Sequence, residues 1–221
     1  WGSTASGALN VPNEVFSSFS CGLNFCCGIT TAETNNIRCW GDNSSQQSTP
    51  PQGTFVQVSA GDSRHACAVD SAGEIACWGF DYGLTGSENP LTAPDEAEGE
   101  VRIGHKYTMS LASDGSAIGW GKNNAGQASP PAESFRDIRG GIVHSCGLRD
   151  DGSLTCWGSN SLNRCDYPPG DDYTQIDVGQ FHSCALGADG LATCWGSGTC
   201  HEDFCPGNYE CGKMIVPSCG N

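Results

Sequence analysis

The sequence predicts an all-β protein built from repeated units of about 40 residues. All six tryptophans are followed by glycine, at intervals of 39, 38, 42, 37 and 38 residues. The later Trp-Gly pairs follow short alternating runs with an Asp-Gly or Ala-Gly turn, which indicates antiparallel hairpins. No stretch has a sustained apolar period of 3.6 residues, so we expect almost no helix. This repeat length is typical of propeller blades or solenoid units.

The unit is clearest between residues 135 and 158, where the pattern predicts three strands. A first apolar run ends at a glycine, a second contains Cys146, and a third ends in Cys-Trp-Gly. A three-residue loop at 150–152 would join the second and third strands, with Gly152 in the left-handed region. The equivalent turn glycines are Gly73, Gly115 and Gly190.

The cysteine spacing predicts a disulfide across each hairpin. Such a loop sets Cys146 opposite Cys156, at the short Cβ separation that a disulfide needs. In the third unit Met109 and Gly119 replace both cysteines together, as expected for a bonded pair. The four predicted bridges are Cys27–Cys39, Cys67–Cys77, Cys146–Cys156 and Cys184–Cys194.

The full unit reads G-x-x-H-S-C-x-L-x-x-D-G-x-x-x-C-W-G-x-N-x-x-G-Q-x-x-P-P, with its second half clearest at residues 120–131. It resembles the repeats of the regulator of chromosome condensation superfamily over residues 1–196. The resemblance implies a β-propeller of four-stranded blades. Members of that superfamily include nuclear exchange factors, kinase-linked sensors and a secreted β-lactamase inhibitory protein, so the fold does not fix the function. The paired cysteines depart from the intracellular members.

We expect a single domain over residues 1–221, with five repeats in 13–196. Residues 1–12 match the end of a unit, and the cysteine-rich segment 197–221 contains Cys211-Gly, which aligns with Cys146-Gly. This favours six blades, the last shared by the N- and C-termini. The alternative is five blades plus a cysteine-rich tail.

Composition predicts a secreted, extracellular protein. Fifteen cysteines in 221 residues indicate an oxidising compartment, where disulfides supplement a thin core. With no apolar segment near 20 residues and no initiator Met or signal peptide, we expect a processed product without membrane insertion. Asn43-Ser-Ser is an acceptor for N-glycosylation, although asparagine also recurs at this turn position.

The net charge of −15 argues against nucleic acid as a partner, since phosphate binding depends on Lys and Arg. Acidic residues are concentrated in an insertion between residues 85 and 100. A solvated loop is the simplest interpretation. Because the insertion is the largest departure from the repeat, it is also a candidate binding loop. Its acidic residues are Glu88, Asp95, Glu96, Glu98 and Glu100.

No catalytic, metal or cofactor site is predicted. His65, His144 and His182 recur at one position that Phe25 and Tyr107 fill elsewhere, which indicates packing. No nucleophile comes with a base and an orienting acid, so we expect no enzyme. Seven cysteines remain outside the hairpin bridges, and we expect disulfides among them in preference to zinc ligands. They are Cys21, Cys26, Cys165, Cys200, Cys205, Cys211 and Cys219.

An odd number of surplus cysteines leaves one free or joined to another molecule. We expect at least one bridge from Cys21 or Cys26 to the C-terminal four, closing the ring. The sequence favours a non-catalytic structural or protein-interaction module that binds itself or another extracellular protein, self-assembling through its half repeat and surplus cysteines. The alternatives are a glycan-binding lectin and a secreted protein inhibitor.

Overall fold

The computed structural model describes residues 6–32, 36–61 and 63–196, which form β-strands and connecting turns. The strands are β1 (Phe16–Cys21), β2 (Phe25–Thr30), β3 (Ile37–Gly41), β4 (Phe55–Ala60), β5 (His65–Asp70), β6 (Ile75–Gly79), β7 (Glu100–Ile103), β8 (Tyr107–Leu111), β9 (Ala117–Gly121), β10 (Asp137–Gly140), β11 (His144–Leu148), β12 (Leu154–Gly158), β13 (Tyr173–Val178), β14 (His182–Gly187) and β15 (Ala192–Gly196). The helical segments of this part are two 3-10 turns, Gly86–Glu88 and Ser161–Asn163. Neither could span a membrane.

The strands form five antiparallel sheets of three strands each within the described residues, in chain order. This confirms the all-β class, but the expectation of four-stranded blades is wrong. The run after Trp40, Trp78, Trp120 and Trp157 forms a turn instead. In the turn after Trp120, the side chain of Asn123 accepts a backbone hydrogen bond from Ala128. Paired prolines such as Pro130-Pro131 follow and cannot donate to a strand ladder. A count of six blades remains a prediction.

The hairpin between the second and third strands of each sheet has the predicted register. Cys146 lies opposite Cys156, and Leu148 lies opposite Leu154. Gly152 has φ +82°, and its amide donates to the carbonyl of Arg149 at 3.1 Å. The other three turn glycines have φ between +81° and +90°. The turn glycines are therefore left-handed, as the loop type requires.

The core lies between the sheets, since each hydrophobic cluster joins two consecutive sheets. Between the first and second sheets, Phe25 and Ile29 pack with Phe55 and Val58. Between the fourth and fifth, Leu148 packs with Tyr173 and Ile176. Two further clusters fill the other two interfaces of the described part. A single sheet therefore cannot bury its own apolar faces, as expected for repeat units.

The first strands of the sheets, β1, β4, β7, β10 and β13, contact one another in succession. Side chains of one first strand join the next by hydrogen bonds to its backbone. The amide of Gln57 donates to the carbonyl of Val101 at 2.9 Å and accepts from its N–H at 2.8 Å. The hydroxyl of Ser20 makes the same pair of bonds with Ala60. The turns that follow β5, β8 and β11 lie side by side, and we call this end of the three sheets the turn end.

Candidate functional site

Within the described residues, ten cysteines are joined in five disulfides. Four are the hairpin bridges that the spacing predicts, at Cys27–Cys39, Cys67–Cys77, Cys146–Cys156 and Cys184–Cys194. The fifth joins Cys21 to Cys26, so the expected bridge from either residue to the C-terminal cysteines is wrong. The reason is local: the turn between β1 and β2 sets Cys21 opposite Cys26. Cys200, Cys205, Cys211 and Cys219 lie outside the described residues.

Cys165 is the free thiol of the described residues. Burial, and to a lesser degree the charge of Asp166, raises the pKa of this thiol. A raised pKa keeps the thiol protonated at neutral pH, which disfavours it as a nucleophile. No group of three His, Cys, Asp or Glu side chains in the described ranges is placed to hold a metal ion.

The tryptophans hold neighbouring units together. The indole N–H of Trp78 donates to the carbonyl of Gln47 in the preceding unit at 2.9 Å, and Trp157 does the same with Gln127 at 3.0 Å. The indole N–H of Trp120 donates to the carbonyl of Pro90, and that of Trp195 donates to the carbonyl of Arg164. The indole N–H of Trp40 donates to the carbonyl of Ala8 at 2.9 Å. Trp78, Trp120 and Trp195 are also buried, so their rings are not free for sugar stacking, whereas Trp40 and Trp157 are half-buried. Trp1 lies outside the described residues.

Two side-chain positions pair across consecutive sheets. Position A is the first residue of each middle strand: Phe25, His65, Tyr107, His144 and His182. Position B is the next residue: Cys26, Ala66, Thr108, Ser145 and Ser183. A side chain at position A reaches position B of the following unit. His65 Nε2 lies 3.1 Å from Thr108 Oγ1, Tyr107 Oη lies 2.7 Å from Ser145 Oγ, and His144 Nε2 lies 2.9 Å from Ser183 Oγ.

Burial keeps His65 and His144 neutral. His65 is fully buried between Thr108 and the hydroxyl of Ser63, which lies 2.7 Å from its Nδ1. Burial, with a smaller contribution from the charge of His105, lowers the pKa of His65 to about 3. Burial likewise lowers the pKa of His144 to about 4, helped by Arg164 and His182. The packing role that the sequence indicates therefore fits His65 and His144, whereas His182 is exposed.

Asn43 is exposed and also shapes its turn. Its Oδ1 accepts a hydrogen bond from the amide of Ser48 at 2.9 Å, and Asn123 and Asn160 make the equivalent bond. Its Nδ2 donates to Thr49 at 3.0 Å. The turn role is thus present at all three asparagines, and glycan attachment at Asn43 stays a prediction.

The acidic insertion is anchored by its apolar residues, while its carboxylates face solvent. Ala93 and Ala97 pack on the cluster between the second and third sheets. The carbonyl of Pro90 accepts the indole N–H of Trp120, in the role that Gln47 and Gln127 have elsewhere. Glu88, Asp95, Glu96, Glu98 and Glu100 are all exposed. Of the five, only Glu100 lines the cleft described next.

A cleft of about 850 Å³ opens at the turn end between the second, third and fourth sheets. It is lined by the turns that follow β5, β8 and β11 and by the starts of β4, β7 and the segment before β10. The carboxyl groups on its wall are Asp70, Glu100, Asp114 and Asp150. Val56, which is 60% exposed, adds an apolar surface. The cleft therefore combines negative charge with an apolar patch.

The charges of the cleft are fixed by local bonds. Ser116 donates to the carboxylate of Asp114 from both its hydroxyl and its amide, which lowers the pKa of Asp114. The carboxylate of Asp70 accepts hydrogen bonds from the backbone amides of Ala72 and Glu74. The guanidinium of Arg136, the positive group of the lining, donates to the carbonyl of Tyr173 at 2.7 Å. With four carboxyl groups and one guanidinium on its wall, the cleft has a net negative charge and suits a cationic group.

Glu100 belongs to the predicted binding loop, but Asp70, Asp114 and Asp150 were not predicted from the sequence, because each resembles an ordinary turn residue. The signal was the recurrence of an acidic residue at the turn of successive units, at Asp70, Asp114 and Asp150. Only the packing of the sheets shows that the three turns meet at one opening.

The family model of the regulator of chromosome condensation (RCC1) repeat matches residues 16–47, 135–164 and 173–202. These segments fall in the first, fourth and fifth units, each of which carries a hairpin disulfide.

Solved structures of propellers resemble the whole arrangement. The ectodomain of the Physcomitrella patens receptor kinase CR4 is 25% identical, with a TM-score of 0.71 over 88% of this chain. The CRINKLY WD40 ectodomain of the Arabidopsis thaliana receptor kinase ACR4 is also 25% identical, with a TM-score of 0.70; the match covers 89% of this chain and 74% of that one. Yeast RCC1 (Prp20), solved with Kap60, is 18% identical with a TM-score of 0.66, covering 81% of this chain and 55% of that one. This chain spans 56% of the Physcomitrella ectodomain.

Proposed function

Because this chain is an RCC1-like β-propeller with disulfide-bonded hairpins, we propose that it is a non-catalytic extracellular module that binds other proteins. The fold and the disulfides are compatible with an extracellular interaction module, and two of the similar structures are receptor-kinase ectodomains. Disulfides persist in oxidising surroundings, which supports secretion.

The observation that carries the proposal is the acidic cleft at the turn end. Its carboxylates come from three different units, and its shape depends on the rigid packing of the sheets. A cationic segment of a partner protein, with Lys or Arg side chains beside apolar ones, would meet both the carboxylates and Val56. Loops held by a rigid scaffold are where such binding surfaces are usually found.

Five indole N–H groups of the described part are bonded within the scaffold, and three of these rings are buried, which weighs against a lectin that stacks sugars on tryptophan. The inhibitor alternative is included in the proposal, since an inhibitor is also a protein-binding module. Self-assembly through the terminal segments would add a second copy of the chain as a partner, and sedimentation at increasing protein concentration would detect it.

Binding of fluorescent peptides tests the cleft. The probe is a set of twelve-residue peptides that alternate Lys or Arg with apolar residues, measured by anisotropy at low and physiological salt. We expect Asp150→Asn with Glu100→Gln to weaken binding by about threefold to tenfold, the effect of losing two solvent-exposed charge contacts. The matched control is Asp95→Asn with Glu96→Gln, which removes two exposed carboxylates outside the cleft and should leave binding unchanged.

Two outcomes would contradict the proposed site. Equal weakening in both double variants would show that net charge alone attracts the peptides. Binding confined to a glycan array, with no peptide bound, would favour the lectin alternative.

A further inference from the structure

The middle strand of the fifth sheet is buried on one face only. The middle strands β2, β8 and β11 are buried at every residue, and β5 at all but its last. In β14, by contrast, burial alternates: Ser183, Ala185 and Gly187 are buried, while His182 is exposed and Cys184 and Leu186 are half-buried. A period of two means that one face of a strand is covered and the other is not.

The uncovered face of β14 corresponds to the face that, in the earlier sheets, packs against the next unit. In the fourth sheet the equivalent residues are His144, Cys146 and Leu148, which are at most 1% exposed against the fifth sheet. His144 uses this face to reach Ser183. His182 stands at the same position A and has no following unit in the described part of the chain.

The pairing of positions A and B indicates what should cover this face. Histidine at position A meets a hydroxyl at position B in both described cases, Thr108 and Ser183, and Tyr107 meets Ser145. Phe25, which cannot hydrogen-bond, shares its buried cluster with Ala66. We therefore expect His182 to hydrogen-bond to a serine or threonine at position B of a following unit, immediately before the cysteine of that unit.

The remaining sequence contains that residue. Ser218-Cys219-Gly220 repeats the three residues Ser145-Cys146-Gly147. Cys219 follows Gly196 by 23 residues, close to the 25 and 26 residues that separate Cys146 and Cys184 from the preceding Trp-Gly glycine. The alignment through Cys211 gives only 15 residues and places Glu210 at position B. The structure thus favours Cys219 over Cys211 as the repeat cysteine.

We propose that residues 197–221 begin a sixth unit and pack on the open face of β14, with Ser218 hydrogen-bonded to His182. The segment follows Gly196, which lies directly opposite His182 in the register of β14 and β15, so it leaves the sheet beside the face it would cover. Leu186 and Cys184 supply the apolar part of the contact.

The residues around Ala8 are not free to take this place. The carbonyl of Ala8 accepts the indole N–H of Trp40 at 2.9 Å, as Gln47 accepts that of Trp78. Residues near Ala8 therefore lie against the first sheet as the end of a preceding unit would. There the thiol of Cys26, at position B, is already bonded to Cys21.

The test uses the full-length chain and nuclear magnetic resonance. We expect contacts between the ring protons of His182 and the β protons of Ser218, and between the Leu186 methyl groups and residues 197–221. Ser218→Ala should speed amide exchange in β14 by about threefold to tenfold, the effect of one lost hydrogen bond. Glu210→Ala, at the alternative position B, is the matched control and should leave exchange unchanged.

Every other outcome overturns the proposal. Contacts from His182 to Glu210 or Cys211 would restore the alignment through Cys211. Contacts seen only between differently labelled molecules would make a second copy the occupant. No contact from β14 to residues 197–221 would show that this segment does not cover the face.

Discussion

The turn glycines allow backbone strain to be separated from a steric clash in one experiment. Gly73 and Gly152 occupy the same position of the hairpin loop, with φ of +90° and +82°. A Cβ at Gly73 would meet nothing within 4 Å. A Cβ at Gly152 would lie 2.5 Å from the carbonyl oxygen of Asp171 and 3.2 Å from the Cα of Asp172. Alanine therefore adds strain at both positions but a clash at only one.

The structure gives the size of each effect. A left-handed conformation costs a residue other than glycine about 1–2 kcal/mol, which is the loss expected for Gly73→Ala. At Gly152 the clash is with backbone, which cannot rotate away, and overpacking of this kind adds about 1–3 kcal/mol. Gly152→Ala should therefore lower the free energy of unfolding by about 2–5 kcal/mol. The carbonyl of Gly152 also accepts a hydrogen bond from the amide of Tyr173. The clash therefore falls where the turn between β11 and β12 contacts the fifth sheet.

Urea unfolding followed by tryptophan fluorescence, with the disulfides intact, measures both variants against the parent chain. The slope of the free energy of unfolding against urea concentration should be unchanged. The urea concentration at the midpoint of unfolding should fall further for Gly152→Ala than for Gly73→Ala. Equal losses in the two variants would refute the reasoning, because they would show that Asp171 moves aside without cost.

Two further predictions concern the cysteines and the buried histidines. Peptide mapping without reduction should recover the pairs 21–26, 27–39, 67–77, 146–156 and 184–194, with Cys165 as an alkylatable thiol; a peptide joining Cys21 or Cys26 to the C-terminal cysteines would contradict the structure. Since folding lowers the pKa of His65 from 6.5 to about 3, the unfolded chain binds more protons between these values, and the free energy of unfolding should fall as the pH drops through this window. His65→Phe with Thr108→Ala, which copies the Phe25 and Ala66 combination, should reduce that fall, and an unchanged pH dependence would show that His65 does not cause it.

The sequence by itself determined the structure of each hairpin. Ten residues separate Cys146 from Cys156, and an Asp-Gly turn lies between them, so strand register, loop type and disulfide follow from one short stretch. The recurring Trp-Gly pair also marked the end of the third strand of each sheet. These features are local: the partners lie within a dozen residues along the chain, and the geometry of a tight turn leaves them few alternatives.

Only the tertiary structure decided what each unit does for its neighbours. It placed the carbonyl of Gln127 under Trp157, the hydroxyl of Ser183 beside His144, and the carboxylates of three turns around one cleft. It also joined Cys21 to Cys26, where the surplus of cysteines at both ends had suggested a long bridge. Apart from Cys21 and Cys26, these partners lie about 30 to 40 residues apart or come from different turns, so repeat spacing could not identify them. They depend on how one twisted sheet packs on the next, because each sheet buries its apolar faces only against its neighbours.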